Sequence, residues 1–186
     1  MHKFLPSMFI FLDKYNSRVF KNNSTNIGII YRNYNSKKRE IELIKIAKAC
    51  KRANFKLYVS NNIKLALKVK SEGIYIPSFN KKKIYNNFEN KKLVVLGSAH
   101  NQKEIIEKIK QNCDAIFLSP IFHVKKRTKY LGVCKFNLLS LISKIKLLAL
   151  GGIDEKNINK LKILNIKGFG AISLFKKKPA FKRPVL

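Results

Sequence analysis

The chain is poor in acidic residues, and this scarcity leaves a large excess of positive charge. Its 186 residues include 40 lysines and arginines against 10 aspartates and glutamates, a formal net charge of +30. Clustered cations would point to a polyanionic partner, because they neutralise phosphates. The lysines instead run along nearly the whole sequence, among abundant asparagine and isoleucine, as A+T-rich codon usage produces. We therefore interpret most of the charge as solvated surface, with a phosphorylated small ligand as the second interpretation and nucleic acid as a disfavoured partner.

Cysteine and long apolar stretches are also scarce. The three cysteines are widely spaced and form no C-x-x-C pair, which argues against a zinc site or a disulfide framework and fits a reducing cytoplasm. Lysine interrupts every long apolar stretch before the ~20 residues that a membrane helix needs. The apolar amino-terminal stretch lacks a small-residue cleavage site and is predicted to be a first strand rather than a signal peptide. A cytoplasmic protein without a membrane partner is expected.

Short apolar runs alternate with longer amphipathic segments, a pattern typical of βα units around a parallel sheet. Eight runs are continuous enough to be buried strands: Met8–Leu12, Ile27–Tyr31, Phe55–Val59, Gly73–Ile76, Leu93–Leu96, Ala115–Leu118, Leu147–Leu150 and Gly168–Ile172. Eight parallel strands close a barrel. The predicted fold is a single α/β domain, a (β/α)₈ TIM barrel over residues 1–175, followed by a basic tail over residues 176–186.

The predicted helices follow from apolar periodicity. One apolar stripe contains Ile41, Leu43, Ile44, Ile46 and Ala47, and a second contains Ile105, Ile106 and Ile109. On the second helix, Glu104 and Lys108 are spaced for an i,i+4 ion pair. Lys156 to Leu164 is a third predicted helix. The connections over residues 13–26 and 77–90 carry little apolar signal and are predicted to hold reduced helices, which would explain the short chain.

Reactive groups of such a barrel lie just after each strand. Small, hydroxyl, amide and cationic residues stand there: Asp13, Arg32, Ser60, Asn61, Asn62, Ser78, Ser98, His100, Ser119, Pro120, Gly151, Gly152 and Ser173. Gly151 and Gly152, with Ile172 and Ser173 after the last strand, would place backbone N–H groups beside a helix start, where a phosphate is stabilised. The alternative is that the two glycines only turn the chain from strand to helix.

Four segments occur in an order that carries a more specific resemblance: Leu96–His100, Asp114–Phe122, Leu148–Ile153 and Gly168–Ser173. Together they resemble the thiamine phosphate synthase/TenI family, with looser matches at Arg32, at Leu65-Ala66 and at Glu72–Ile76. The similarity covers the chain from about Phe9 to Phe175. It implies an enzyme, a transferase that joins a pyrimidine, carried as its methyl diphosphate, to a thiazole phosphate, releasing diphosphate and forming thiamine phosphate with the help of Mg²⁺.

The resemblance also implies roles for individual residues. Arg32 would hold the diphosphate and Ser98 would face the reacting pyrimidine, and with Arg127 they form the expected catalytic group. The thiazole phosphate would lie against Gly151, Gly152, Ile172 and Ser173, and a loop containing Lys125, Lys126 and Arg127 would close over diphosphate. Asn61 and His100 complete the expected binding set, although His100 is interpreted mainly as orienting its strand end. Rim or surface roles are the alternatives for the cations.

The sequence departs from the family pattern at several of these positions. The metal aspartates fall at Asn61 and Asn80, whose amides bring no negative charge, so weakened Mg²⁺ binding is expected. The loop threonines map near Val124 and Lys126, the loop lysine maps near Arg127, and Tyr34 replaces a lysine. These departures keep open a TenI-like protein that binds or isomerises a thiazole phosphate, or regulates, without synthase activity. Pro120 in the usual histidine position counts against the isomerase.

A basic nucleic-acid-binding protein is a third, remote hypothesis. Tyr31, Tyr34, Tyr58 and Tyr75 interleave with cations, as in proteins that stack bases on aromatic rings. Three of the four, however, lie in or beside predicted strands, where packing in the core is expected. A homodimer remains open from the sequence.

Overall fold

The computed structural model describes residues 5–21, 26–82, 93–125, 128–171 and 174. All eight predicted strands are present, four with the predicted bounds and four with bounds shifted by one to three residues: β1 Met8–Leu12, β2 Ile27–Tyr31, β3 Lys56–Ser60, β4 Gly73–Ile76, β5 Val94–Ala99, β6 Ala115–Leu118, β7 Lys146–Leu150 and β8 Phe169–Ala171. Each strand pairs in parallel with the next, and Met8 of β1 is in register with Phe169 of β8. The predicted (β/α)₈ barrel is confirmed.

Several helices are short, as the chain length led us to expect, although the first α-helix has 15 residues. The α-helices are α1 Arg39–Ala53, α2 Ile63–Lys68, α3 Gln102–Lys110 and α4 Gly132–Ile142, with 3₁₀ helices at Ser17–Phe20 and Ile158–Ile163. The four-residue 3₁₀ helix after β1 fits the reduced helix expected there. The predicted third helix over Lys156–Leu164 is a 3₁₀ helix of six residues. Residues 77–82 after β4 contain no helix, while the rest of that connection and the predicted tail lie outside the described residues.

The predicted apolar stripes are only partly buried. Leu43 of α1 and Ile105 of α3 are 0% and 2% exposed, whereas Ile41, Ile106 and Ile109 are each more than 40% exposed. At about 100° per residue, Ile41 lies on the far side of α1 from Leu43. A helix that covers a barrel buries a narrow stripe, so the wider predicted stripes are wrong.

Aromatic rings fill the barrel interior and support the site above it. Phe117 packs edge-on against Phe9 and Phe11, with ring centroids 5.1 and 5.4 Å apart. Glycines make room for these rings: a Cβ on Gly28 would lie 2.5 Å from the Phe9 ring, and one on Gly170 would lie 2.8 Å from the Phe11 ring. The interior is therefore a packed core, and a ligand can bind only at its ends.

The tyrosines predicted to pack do so, since Tyr31, Tyr58 and Tyr75 are all at most 5% exposed. None of the helices in the described part of the chain is long and apolar enough to cross a membrane.

Candidate functional site

Two adjoining cavities open at the carboxyl ends of the strands. The barrel-mouth cavity, about 480 Å³, lies over the barrel and is lined among others by Arg32, Ser98, His100 and Ser119. The β6-loop cavity, about 540 Å³, lies under the loop after β6 and shares His100 and Ser119 with the first. A larger cavity of about 770 Å³ lies at the opposite end, among residues that precede β3 and β4. Because barrels of this fold carry their sites at the carboxyl ends, the two adjoining cavities form the candidate site.

Arg32 follows β2 and is held from two sides. Its Nε donates to Asp13 Oδ1 at 3.2 Å, and its guanidinium carbon lies 5.6 Å from the centre of the Phe11 ring. The side chain is 32% exposed, so it is neither buried nor free in solvent. Only Nε of the guanidinium is engaged by the described residues, which leaves its two terminal nitrogens for an anion. Arg32 can therefore present a two-pronged donor to the barrel-mouth cavity.

Ser98 lies near the end of β5, 5% exposed, at the floor of the same cavity. Burial raises the pKa of the neighbouring Tyr75, and the hydrogen bond between the Tyr75 and Ser98 side chains opposes part of that rise. Tyr75 is therefore a neutral hydroxyl, and the Ser98 hydroxyl is fixed between it and the cavity.

His100, which follows β5, makes hydrogen bonds to residues that follow β4 and β6. Its Nδ1 lies 2.6 Å from the Ser119 carbonyl oxygen, which can only accept, so Nδ1 carries a proton. Its Nε2 lies 3.3 Å from Ser78 Oγ, after β4. The His100 backbone N–H donates to Glu104 Oε2 at 2.9 Å. This geometry fits the orienting role predicted for His100.

Asn61 and Asn80, the predicted metal ligands, bind each other instead of presenting two oxygens to a shared ion. The Asn80 amide nitrogen donates to Asn61 Oδ1, and Asn80 Oδ1 accepts from the Lys82 backbone N–H at 2.9 Å. No group of three or more acidic, histidine or cysteine side chains suited to a metal occurs within the described ranges. Mg²⁺ prefers anionic oxygen and near-octahedral geometry. The residues present therefore do not fit a protein-held Mg²⁺.

Gly151 and Gly152 have positive φ values of 90° and 73°. A Cβ on Gly151 would lie 2.9 Å from Pro120 Cβ, and one on Gly152 would lie 2.5 Å from the Phe122 carbonyl oxygen. Both glycines are thus required for the turn and for its close approach to the β6 loop. The predicted helix start beside them is wrong, because the 3₁₀ helix begins only at Ile158. A phosphate role for the glycines stays a prediction, and Ile172 and Ser173 lie outside the described residues.

The β6-loop cavity is rich in cations. Lys125, as predicted for the loop, lines it together with Lys129 and Lys135, while Lys126 and Arg127 lie outside the described residues. Sequence reasoning did not single out Lys129 or Lys135. Lys135 belongs to α4 rather than to a strand end, so the search after each strand could not find it.

Tyr34, which the sequence presents as a departure from the family pattern and as one of the tyrosines interleaved with cations, lines the barrel-mouth cavity. Ser60 Oγ donates to its hydroxyl at 2.9 Å, and the Arg39 guanidinium carbon lies 5.9 Å from its ring centre. The Phe79 ring meets it edge-on at 5.7 Å. Burial raises the pKa of Tyr34, so it supplies a neutral aromatic wall where a lysine was expected.

Two curated thiamine-phosphate synthases are similar to this chain in sequence. A thiamine-phosphate synthase of Prochlorococcus marinus subsp. pastoris is 31% identical over 143 residues, covering 75% of this chain and 40% of the relative. A thiamine-phosphate synthase of Hydrogenobaculum sp. is 26% identical over 151 residues, covering 77% and 68%. The chain spans about two fifths of the length of the Prochlorococcus relatives.

Among solved structures, the thiamine phosphate pyrophosphorylase from Pyrococcus furiosus superposes with a TM-score of 0.71 at 18% identity, covering 91% of this chain and 86% of that one. At this identity the likeness supports the fold alone. The profile of the family described as thiamine monophosphate synthase matches residues 22–175. The chain therefore belongs to the thiamine monophosphate synthase family.

Proposed function

We propose that this chain joins a pyrimidine, carried as its methyl diphosphate, to a thiazole phosphate, giving thiamine phosphate and diphosphate. The observation that carries the proposal is the pair of adjoining cavities, about 480 and 540 Å³, that meet at His100 and Ser119. Each has its own cations, Arg32 in one and Lys129 and Lys135 in the other. Two phosphorylated rings could thus lie side by side, and membership of the family supports this assignment.

The reaction needs leaving-group stabilisation more than acid–base chemistry. The bond between the pyrimidine methylene carbon and the diphosphate oxygen breaks, and the diphosphate leaves with the electron pair. The thiazole nitrogen then donates its lone pair to the cationic methylene carbon, forming the new C–N bond. Cationic donors that bind the departing diphosphate more strongly as its charge grows lower the barrier. Arg32 and Lys125 are the described residues that we assign to this role.

Ser98 and Tyr34 are assigned to the pyrimidine. A flat ring in the barrel-mouth cavity would have the Tyr34 ring as a wall and the Ser98 hydroxyl as a polar contact at its floor. Aromatic contacts orient rings with little entropic cost. We assign His100 to holding the wall that the two cavities share.

A role for Mg²⁺ is expected only from the resemblance to the family. The Asn61–Asn80 amide pair does not fit a protein-held ion, so we route no step through a metal. Positively charged side chains can neutralise diphosphate by the same electrostatic attraction that a metal ion would provide. The mechanism proposed here rests on arginine and lysine.

The missing carboxylates also favour a second candidate function. A barrel that keeps a phosphate-binding cavity and loses its metal ligands could bind a thiazole phosphate without joining it to a pyrimidine. The lysines of the β6-loop cavity would serve that role equally well.

We also place the protein in the cytoplasm, acting on small phosphorylated substrates without nucleic acid. The cysteines are free, and Cys50 and Cys113 are buried, which suits a reducing compartment. Oligonucleotide binding with a steep salt dependence would contradict the proposal that the protein acts without nucleic acid.

Formation of thiamine phosphate tests the proposal directly. Purified protein is incubated with both substrates, in Mg²⁺ and in chelator, and product is followed by chromatography, with reactions lacking one substrate as controls. Product formation both with Mg²⁺ and with chelator supports a mechanism in which cationic residues neutralise the diphosphate in place of a metal ion. Product only with Mg²⁺ supports the synthase and contradicts the metal-free mechanism. Absence of product together with measurable thiazole phosphate binding would favour the second candidate.

A further inference from the structure

Lys108, in α3, is a buried cation outside both cavities. It is 1% exposed, and its Nζ donates to Pro77 O at 2.8 Å, to Asn80 O at 2.7 Å and to Gln111 Oε1 at 2.9 Å. Three acceptors match the three N–H groups of an ammonium, whereas a neutral amine would turn its lone pair toward an oxygen. Lys108 is therefore bound as a cation. The ion pair with Glu104 expected from the sequence is wrong, because the Glu104 carboxylate instead accepts from the His100 backbone N–H and from the Asn101 side-chain amide at the start of α3.

Gln111 completes the arrangement from the next turn. It is also 1% exposed, and its Nε2 donates to Asn80 O at 3.0 Å and to Lys82 O at 2.9 Å. Lys108 and Gln111, here named the α3 clamp, thus bind three carbonyl groups of the segment Pro77–Lys82, here named the β4 loop. Gln111 and Lys108 also bind each other, so the clamp is a single hydrogen-bonded unit.

Space for the clamp is provided by a glycine in the neighbouring strand. A Cβ on Gly97 would lie 3.1 Å from Lys108 Cγ and Cδ and 2.9 Å from Cys113 Sγ. The lysine stem therefore lies against bare backbone, one residue before Ser98. Desolvation lowers the pKa of Lys108, because burial makes the charged form of the side chain less stable than it is in water. A methionine of similar length would fill the space without that cost, so the charge has another role.

The opposite face of the β4 loop forms part of the site. Pro77, Ser78 and Phe79 line the barrel-mouth cavity, and the Asn80 side chain binds Asn61. The loop backbone is held from behind by the clamp while its side chains meet the cavity. Within the described ranges, no group of three or more acidic, histidine or cysteine side chains is placed to link the loop to the barrel through a metal ion.

We propose that Lys108 and Gln111 are positioning residues that hold the β4 loop in the conformation that binds diphosphate, in place of a metal-mediated tie. The proposal rests on the function proposed above. The clamp acts through the loop and does not contact the ligand. Loss of the clamp should therefore weaken diphosphate binding selectively and loosen the loop.

Matched variants separate this role from general destabilisation. Lys108→Met removes the charge and three hydrogen bonds at similar length, and Gln111→Glu keeps the acceptor for Lys108 while removing both donations to the loop. Lys103→Met, an exposed lysine of the same helix, is the control. The chain has no tryptophan, so Phe79→Trp, at a position 66% exposed, adds a unique fluorophore to the loop.

Calorimetry in chelator compares inorganic diphosphate with thiazole phosphate. We expect Lys108→Met to raise the dissociation constant for diphosphate about tenfold and Gln111→Glu about threefold, with thiazole phosphate changed less than about twofold. In the Phe79→Trp background, without ligand, acrylamide quenching should increase in both clamp variants and stay unchanged in Lys103→Met. Circular dichroism shows whether each variant is folded. If Lys108→Met does not fold, the binding and quenching results of Gln111→Glu decide the proposal.

The outcomes are distinguishable. If wild-type protein binds diphosphate when titrated in Mg²⁺ but not in chelator, the clamp does not replace a metal-mediated link and its proposed role fails while the proposed function stands. If wild-type protein binds diphosphate in neither condition, the proposed function fails as well. If wild type binds diphosphate while the folded clamp variants bind it equally well, or weaken both ligands alike, the clamp proposal alone is wrong.

Discussion

Arg32 is the single residue on which the proposed chemistry depends most. Asp13 and the Phe11 ring fix it at the edge of the barrel-mouth cavity. Removal of a charge-assisted, two-pronged contact typically costs about tenfold or more in binding. We therefore expect Arg32→Ala to raise KM for the pyrimidine diphosphate at least about tenfold and KM for thiazole phosphate less than about twofold. Steady-state kinetics with each substrate varied in turn measures both values.

Arg52→Ala provides the matched control, because Arg52 is an exposed arginine in the last turn of α1. It should leave both KM values unchanged. Equal increases for the two substrates in Arg32→Ala would show that the diphosphate and the thiazole phosphate have been assigned to the wrong cavities.

Other single residues mark the limit of what the sequence could reveal. Arg32, Ser98 and His100 were found because each directly follows or ends a strand, a rule that needs only the position along the chain. Lys108 could not be found that way: its burial depends on Gly97, on Gln111 and on carbonyls 28 and 31 residues earlier. Sequence spacing alone predicts an i,i+4 ion pair between Lys108 and Glu104.

At the level of elements, α3 matters because it carries the clamp, and its first turn is capped by side chains. Asn101 Oδ1 accepts from the Glu104 backbone N–H at 3.0 Å, while Glu104 Oε2 accepts from the His100 N–H at 2.9 Å. The arrangement is similar to a capping box, but Glu104 binds the backbone N–H of His100, one residue before the N-cap Asn101. We expect Asn101→Ala to lower the free energy of unfolding by about 1 kcal/mol, because one N–H of the first turn loses its acceptor. Urea denaturation followed by circular dichroism measures the change.

Gln102→Ala, one residue further along, is the control for introducing an alanine at the start of α3, since Gln102 is exposed and alanine is a good helix former. It should change the free energy of unfolding by less than about 0.5 kcal/mol. If the two variants lose equal stability, the cap does not contribute as described.

Strands were predicted better than helices for a physical reason. A strand of a closed parallel barrel is buried on both sides, so β1, β2, β4 and β6 are uninterrupted apolar runs with clear ends. A helix that covers the barrel buries only a narrow apolar stripe. The short connection between β7 and β8 leaves room only for a tight turn and a 3₁₀ helix. The Asp154 side chain accepts from the Lys156 and Asn157 N–H groups before the 3₁₀ helix, a local turn that the apolar pattern over Lys156–Leu164 does not show.

At the level of the whole molecule, the eight strands close around an aromatic core although the chain has only 186 residues. Closure requires the first and last strands to pair, and three residues of β8 meet Met8, Phe9 and Ile10 of β1. The count of apolar runs predicted this closure. The two cavities could not be predicted as separate spaces, because their sizes depend on how Tyr34, Phe79 and the β6 loop pack.

The folded barrel also predicts how stability changes in alkaline solution. Burial raises the pKa of the Cys50 and Cys113 thiols from 9.0 to about 12. Below pH 9 both states keep these protons, so the thiols add no pH dependence. Above pH 9 the unfolded chain releases them while the folded chain does not, so the free energy of unfolding falls as pH rises. Each thiol contributes a slope of about 1.4 kcal/mol per pH unit.

Lys108 works in the opposite direction, because its lowered pKa lets the folded chain release a proton before the unfolded chain does. The tyrosines Tyr31, Tyr34, Tyr58 and Tyr75, whose pKa values burial also raises, add to the fall as pH approaches 10, so the net slope between pH 9 and 10 is downward. We expect chemical denaturation across this range to show that fall in wild type and in Cys134→Ala, whose thiol is exposed, and a clearly shallower fall in Cys50→Ala/Cys113→Ala. The slope is compared rather than the absolute stability, because the double substitution also removes packing in the core. An unchanged slope in the double variant would mean that the two thiols ionise in the folded barrel as readily as in the unfolded chain.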